Sequence, residues 1–217
     1  MAAAAELTKA TESMSLADEK RDVARARILR AARIVLATRG LATTVDDVAA
    51  AADISRRTVF RHFETRERLL AEAIREGLRS YSQQLPSEGL SATADQPEIS
   101  AWLLNLLLAA HRLNANNGRI YWELAALGSE VDGELATVAA ERRESRRRFA
   151  TRVTAHAWTV SGGTGRPPTW LTDAFAVHLS GFTTQALGGD FGRTPDDVAR
   201  ASVRVLQASL AAALADR

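Results

Sequence analysis

Five arginines and two glutamates fall within residues 55–68, which gives this short stretch a local charge of +3. Helical spacing places one set of polar side chains outward on a short helix, with Val59 and Phe63 facing inward. Arginine presents a planar fork of donors that suits phosphate oxygens and guanine edges. The segment therefore predicts contact with nucleic acid through its outward set: Arg56, Arg57, Thr58 and Arg61.

A second short helix and a tight turn precede this basic helix. Thr44 is placed to cap the earlier helix, and Asp47 stands three residues on, where a capping box needs an acceptor. Asp53-Ile54 forms the turn, and Ser55 caps the basic helix. Two short helices joined by a tight turn make a helix-turn-helix candidate, which would present its second helix to a major groove.

Residues 28–70 resemble the TetR family of transcriptional repressors. The resemblance is carried by residues 28–32, 39–49, 54–63 and 65–70. Beyond residue 70 the resemblance lies only in the arrangement of helices, which is a helical bundle ending in two long helices that would form a dimer interface. Asp53 stands where the family usually has glycine, and Phe60 stands where it commonly has tyrosine.

The resemblance implies that the N-terminal three helices bind operator DNA and that the rest binds an inducer and dimerises. Carried over by position, it implies eight DNA contacts: Thr44, Ser55, Arg56, Arg57, Thr58, Arg61, His62 and Arg66. The alternative for Arg56 and Arg57 is solvation of an exposed turn. For His62 the alternative is a local structural role.

Apolar periodicity predicts an all-α protein of nine or ten helices and no sheet. We expect a disordered arm over residues 1–19, a helix-turn-helix domain over 20–64 and a ligand-binding and dimerisation domain over 65–217. Within the last domain the predicted helices span 65–85, 99–114, 119–127, 131–160, 169–187 and 194–215. Asn116-Asn117-Gly118 and Gly188-Gly189 are predicted to end two of them.

All four tryptophans lie between residues 102 and 170, as an aromatic-lined pocket would require. The alternative is that these aromatics are core. His111 is the side chain predicted to orient a largely hydrophobic inducer. The full set of pocket candidates is Trp102, Leu106, His111, Tyr121, Trp122, His156 and Phe175.

The two C-terminal helices each carry an apolar face with small residues, which predicts an isologous four-helix dimer interface. The interface candidates are Leu171, His178, Phe182, Val198 and Val205.

Several classes of protein are disfavoured. The chain has 217 residues with no cysteine, so disulfides and thiolate chemistry are excluded. No apolar run approaches the length of a membrane span, and no signal peptide is evident, which favours the cytoplasm. No catalytic motif, cofactor motif or metal-binding histidine pair is present. The run of arginines at 142–148 is interleaved with glutamates and is interpreted as a solvated face.

The combined hypothesis is a homodimeric repressor that binds a palindromic operator and is released by a small molecule. The alternative is a DNA-binding protein of the same fold that acts without an inducer, through DNA architecture or protein contacts.

Overall fold

The computed structural model describes residues 16–86, 91, 94–127 and 133–216. Over these residues the chain forms nine α-helices and one 3-10 turn, and the all-α prediction is confirmed. The 3-10 turn, Gly40–Ala42, follows the first helix. The helices are α1 (Leu16–Arg39), α2 (Val45–Ala52), α3 (Arg56–His62), α4 (Arg66–Gln84), α5 (Gln96–Ala126), α6 (Glu134–Val160), α7 (Thr169–His178), α8 (Gly181–Phe191) and α9 (Pro195–Ala215).

Side-chain caps set the start of the short N-terminal helices. Thr44 and Asp47 form a complete capping box at α2, in which the Thr44 hydroxyl accepts from the Asp47 amide at 3.2 Å. The hydrogen bonds from Thr44, with help from Arg39, hold the pKa of Asp47 near 2. Ser55 and Thr65 cap α3 and α4 in the same way.

Helix α5 is longer than predicted. The expected break at Asn116-Asn117-Gly118 is wrong, because one helix runs from Gln96 to Ala126. The Asn117 amide donates to the Leu113 carbonyl at 2.9 Å within the helix rather than ending it. Beyond this point Ile120 and Leu124 are buried, so tertiary packing outweighs the weak helix propensity of Asn and Gly.

The predicted single helix over 169–187 is also wrong, because it is two helices. Leu179 ends α7, and the Ser180 hydroxyl caps α8 by accepting from the Thr183 amide at 3.2 Å. Gly188-Gly189 does not end α8, which continues to Phe191 and stops at Gly192 in a left-handed conformation, with φ of 64°.

Helix α1 begins at Leu16, inside the segment expected to be an arm; residues 1–15 lie outside the described residues.

The helices enclose two hydrophobic cores. The first joins α1 to α4 with the first turns of α6 and with the last turns of α5, which contribute Ile120, Tyr121 and Leu124. The second joins α5, α6, α7 and α9 around Leu106, Phe175 and other buried side chains. Helices α5 and α6 therefore belong to both cores and connect the N-terminal helices to the bundle.

By length and composition alone, one helix of the described part, α9, could cross a membrane. Core helices pass the same test, and α9 buries Val198, Leu206 and Leu210 in the bundle, where it packs on α5.

Candidate DNA interface and ligand cavity

The turn between α2 and α3 adopts the geometry that a helix-turn-helix needs. Asp53 has φ of 50° and ψ of 54°, a left-handed conformation that a short polar side chain tolerates. Its backbone amide donates to the Ala50 carbonyl at 3.1 Å. Val59 and Phe63 are buried against the first core, as predicted, so the opposite face of α3 is presented to solvent.

The arginines of α3 differ in their freedom to contact DNA. Arg57 and Arg61 are exposed, and no carboxylate of the described residues pairs with either. Arg56 instead binds Asp46 at 2.7 Å and lies over the Phe60 ring, 5.4 Å from its centroid. Arg57 and Arg61 can therefore contact DNA without losing an ion pair, whereas Arg56 must first break its surface ion pair with Asp46.

A basic groove, lined by Lys20, Arg21, Ala24, Arg61 and His62, separates α1 from the end of α3. Both ring nitrogens of His62 are buried without a hydrogen-bond partner. Burial and the neighbouring arginines, Arg61 first, lower the pKa of His62, so the ring is neutral at pH 7. A phosphate in this groove would meet the cations Lys20, Arg21 and Arg61 beside a neutral histidine ring.

Arg66 faces inward rather than toward a groove. Its Nε donates to the Thr43 carbonyl at 2.8 Å, and its Nη2 donates to the Leu41 carbonyl. These bonds hold the segment between α1 and α2. The guanidinium predicted to contact phosphate is therefore engaged with backbone in this structure.

Three hydroxyl candidates also have local partners. Thr44 and Ser55 cap α2 and α3, and the Thr58 hydroxyl lies 2.9 Å from that of Ser55. Because capping places these residues at helix N-termini, their positions remain compatible with the predicted phosphate contacts.

The end of α5 contacts the segment between α1 and α2 through Glu123. This carboxylate accepts a hydrogen bond from the Leu41 amide and a second from Arg119 Nε at 2.9 Å. Gly40 has φ of 58°, a conformation that favours glycine, and a Cβ there would also displace the Glu123 carboxylate from its present position. The contact of Glu123 with this segment was not predicted from the sequence.

A cavity of about 70 Å³ opens between α4, α6 and the junction of α7 with α8. This volume is well above the roughly 10–15 Å³ that a cavity needs to hold a single water. Its apolar lining includes Leu78, Leu85, Phe149 and Leu179. Its polar lining includes Tyr81, Asn114, Tyr121, Arg142 and Arg146.

Of the predicted pocket residues, Tyr121 lines this cavity and the others do not. Trp122 is 49% exposed and packs edge-on against Phe182, with ring centroids 4.7 Å apart. Trp102 packs edge-on against His156, with centroids 5.3 Å apart. Leu106 and Phe175 are buried in the second core. The aromatic content of residues 102–170 thus mostly serves packing.

His111 is a buried core histidine with partners of its own. Its Nδ1 lies 2.7 Å from the Thr184 hydroxyl, and its Nε2 lies 3.4 Å from the Ser202 hydroxyl. Ser202 is in turn 3.1 Å from His178 Nδ1, so one polar network joins α5, α7, α8 and α9. Burial, with a smaller contribution from His178, lowers the pKa of His111 to about 4.

The arginine run of α6 was predicted to be a solvated face, but it is not uniformly solvated. Arg147 and Arg148 do pair with Glu144 at the surface. Arg142, in contrast, is 5% exposed, and Arg146 is half-buried beside it at the cavity. The missed signal is spacing, because 142, 146 and 149 continue the buried stripe that begins at Val138.

The predicted dimer residues divide by exposure. Phe182 and Val205 are exposed, and His178 is half-buried. Leu171 and Val198 are buried in the protomer's own core, which leaves them no surface for a partner. The spacing of apolar residues along the last helices could not distinguish the face that packs inside the protomer from a face that is open to a partner.

Within the described ranges, no group of three or more His, Asp or Glu side chains is placed to hold a metal ion.

Residues 28–73 match the model of bacterial regulatory proteins of the tetR family, which spans α1 to α4. The resemblance seen in the sequence is thereby confirmed, and residues 28–73 belong to the tetR family. No curated protein is significantly similar to the chain in sequence.

Solved structures share the fold across most of the chain. A tetR-family transcriptional regulator from Streptomyces coelicolor aligns with a TM-score of 0.69 at 18% identity, covering 94% of this chain and 85% of the other. AibR in complex with isovaleryl coenzyme A and operator DNA aligns with a TM-score of 0.58 at 18% identity, covering 83% of this chain and 96% of the other. The multidrug binding protein EbrR complexed with imidazole aligns with a TM-score of 0.53 at 24% identity, covering 84% of this chain and 87% of the other.

The contrast between Arg66 and Arg57 gives a first prediction. Arg66→Ala removes two hydrogen bonds to backbone carbonyls and should lower the free energy of unfolding by about 1–3 kcal/mol. Arg57→Ala should change stability by less than about 0.5 kcal/mol and weaken specific DNA binding by about 1–3 kcal/mol. Urea unfolding and binding to specific and random duplexes measure both. Equal loss of stability in the two variants would contradict the assignment.

The buried histidine network gives a second prediction. Because the pKa of His111 is lowered, the unfolded chain takes up a proton below pH 6.5 while the folded chain does not until about pH 4. This contribution to stability is present above pH 6.5 and is lost as pH falls toward 4, by on the order of 3 kcal/mol. In urea unfolding, the free energy of unfolding of His111→Asn should fall less steeply between pH 6.5 and pH 4 than that of the unmodified protein.

The matched control is Thr184→Val, which removes a partner of His111 without removing a titratable group. It should lower stability and leave the fall between pH 6.5 and pH 4 in place. An unchanged pH dependence in His111→Asn would show that His111 does not keep a lowered pKa.

Proposed function

We propose that the protein is a transcriptional repressor that binds a palindromic operator as a homodimer and is released by a small molecule. One observation carries the DNA-binding part: α3 presents Arg57 and Arg61, exposed and without carboxylate partners in the described chain, from a helix-turn-helix that matches the tetR family. Such a helix can enter a major groove with its arginines at base edges. The proposed place of action is the cytoplasm, where the DNA lies.

The basic groove supplies the second part of the proposed interface. Lys20, Arg21 and His62 lie beside Arg61 at the end of α3. Phosphate contacts from the lysine and the two arginines of this groove would fix the orientation of the protein on the duplex but carry no sequence information. We assign base contacts to Arg57 and phosphate contacts to this groove.

The proposed dimer uses the outer faces of α7, α8 and α9. Nine large apolar side chains are exposed among the described residues, and five of them lie on these helices. An exposed apolar patch of this kind is typical of an interface. The five side chains are Trp170, Val177, Phe182, Phe191 and Val205.

The proposed inducer enters the cavity between α4 and α6. Tyr121 lines that cavity, and two residues further along α5 the Glu123 carboxylate holds the Leu41 amide. A ligand that binds better when this end of α5 is displaced would alter the position of α2 and α3. In a dimer, the two recognition helices must lie about 34–36 Å apart to enter successive major grooves, so such a shift lowers operator affinity.

Selection of genomic fragments by the purified protein tests the operator. We expect a palindrome whose half-sites lie one helical turn apart, and binding that falls steeply with salt. Footprinting of the recovered fragments should show two protected half-sites. Binding that does not depend on salt, or the absence of any enriched fragment, would contradict DNA-directed regulation.

Dimerisation is tested by Phe182→Glu combined with Val205→Glu. Because two carboxylates would be buried without partners at the proposed interface, the variant should be monomeric by light scattering. The control is Ile34→Glu, at a 63% exposed position on α1 that lies outside the proposed interface. A double variant that remains dimeric would place the interface elsewhere.

The release step is tested by comparing the protein with and without candidate small molecules in a DNA-release assay. A protein that binds its operator and is released by no compound that binds the cavity would favour the alternative of regulation without an inducer.

A further inference from the structure

The cavity between α4 and α6 contains a buried guanidinium that no carboxylate of the described chain neutralises. Arg142 is 5% exposed and lies over the Tyr121 ring, 5.7 Å from its centroid. Burial lowers the pKa of Arg142 to about 10, which still leaves it charged at neutral pH. A buried charge without a partner is costly, and natural proteins keep one chiefly where something else neutralises it.

Two further donors face the same space. Arg146, one turn along α6, uses Nη2 to bind the Ala176 carbonyl at 3.2 Å and is also short of a carboxylate partner in the described chain. The side-chain nitrogen of Asn114 is buried without any hydrogen-bond partner, and the residue is 4% exposed. Three side chains that carry N–H groups, from two helices, thus line one cavity.

The acidic residues nearest along α6 are engaged elsewhere. Glu141 binds Arg75 at 2.9 Å, and Glu144 binds Arg147 at 2.9 Å, both on the outer surface. None of the residues that line the cavity is acidic. The cavity is therefore positively charged, and the missing partner is an anion.

The remainder of the cavity restricts the type of anion. Leu85, Phe149 and Leu179 offer hydrocarbon surface beside the donors, and the enclosed space is small. The planar fork of arginine matches a carboxylate in two parallel hydrogen bonds. A phosphate dianion fits the same fork but costs more to remove from water into an apolar site.

We propose that this cavity binds a small organic carboxylate, with its carboxylate between Arg142, Arg146 and Asn114 and its hydrocarbon against Phe149 and Leu85. As the identity of the effector, this rests on the proposed function; as binding chemistry, it is independent of DNA. It also revises the expected inducer from a largely hydrophobic molecule oriented by histidine to an amphipathic anion held by arginine.

Calorimetric titration and thermal unfolding of the full chain test the proposal. The probes are hexanoate and benzoate, their uncharged amides hexanamide and benzamide, and inorganic phosphate. At about 100 times Kd, at least one carboxylate should raise the unfolding midpoint by several degrees, and its amide should not. Equal binding of acid and amide overturns the proposal, as does binding of phosphate alone.

Substitution of Arg142 provides the decisive pair of readouts. Arg142→Met removes the unneutralised charge at similar volume, so the ligand-free protein should unfold at a higher temperature while carboxylate affinity falls at least tenfold. The matched control is Arg143→Met, an exposed arginine on the same helix, which should change neither. Unchanged carboxylate affinity in Arg142→Met overturns the proposal.

A second variant covers the case in which Arg142→Met does not fold. Arg142→Lys keeps the charge and loses the fork, so carboxylate affinity should still fall about tenfold. DNA binding is measured separately on the same samples. Operator binding without carboxylate binding refutes this inference alone, and carboxylate binding without any DNA binding refutes the proposed regulator instead.

Discussion

The hydrogen bond from the Leu41 amide to the Glu123 carboxylate joins the two functional parts of the molecule. Glu123 lies in the last turn of a helix of 31 residues, and Leu41 lies in the segment that leads into the helix-turn-helix. A Cβ on Gly40 would displace the Glu123 carboxylate from this position. Because Arg66 holds the same segment from α4, the recognition helix takes its position from both α4 and α5.

The same helix α5 explains why a cavity in the bundle can affect the DNA-binding helices. Asn114 and Tyr121 line the cavity, and Tyr121 also belongs to the N-terminal core. A change in packing around Tyr121 is therefore a change within the core that supports α2 and α3. The polar network of His111 and Ser202 holds the other part of α5 against α9.

Much of the DNA-binding half could be predicted because its determinants are local. Thr44, Ser55 and Thr65 act on backbone amides three residues away, and the left-handed turn at Asp53 depends on one residue. The breaks within the bundle could not be predicted in this way. Asn117 continues a helix because residues beyond it are buried, which is a property of the packed chain and not of the local segment.

The sequence by itself determined the helical class, the helix-turn-helix and the outward face of α3, since each follows from short-range spacing and capping. Only the tertiary structure decided which charges are buried. Arg142 and Arg147 stand in the same basic run, yet one is buried at the cavity and the other pairs with a surface glutamate. Composition cannot separate them, because the cost of burying a charge depends on the groups that neighbouring helices place around it.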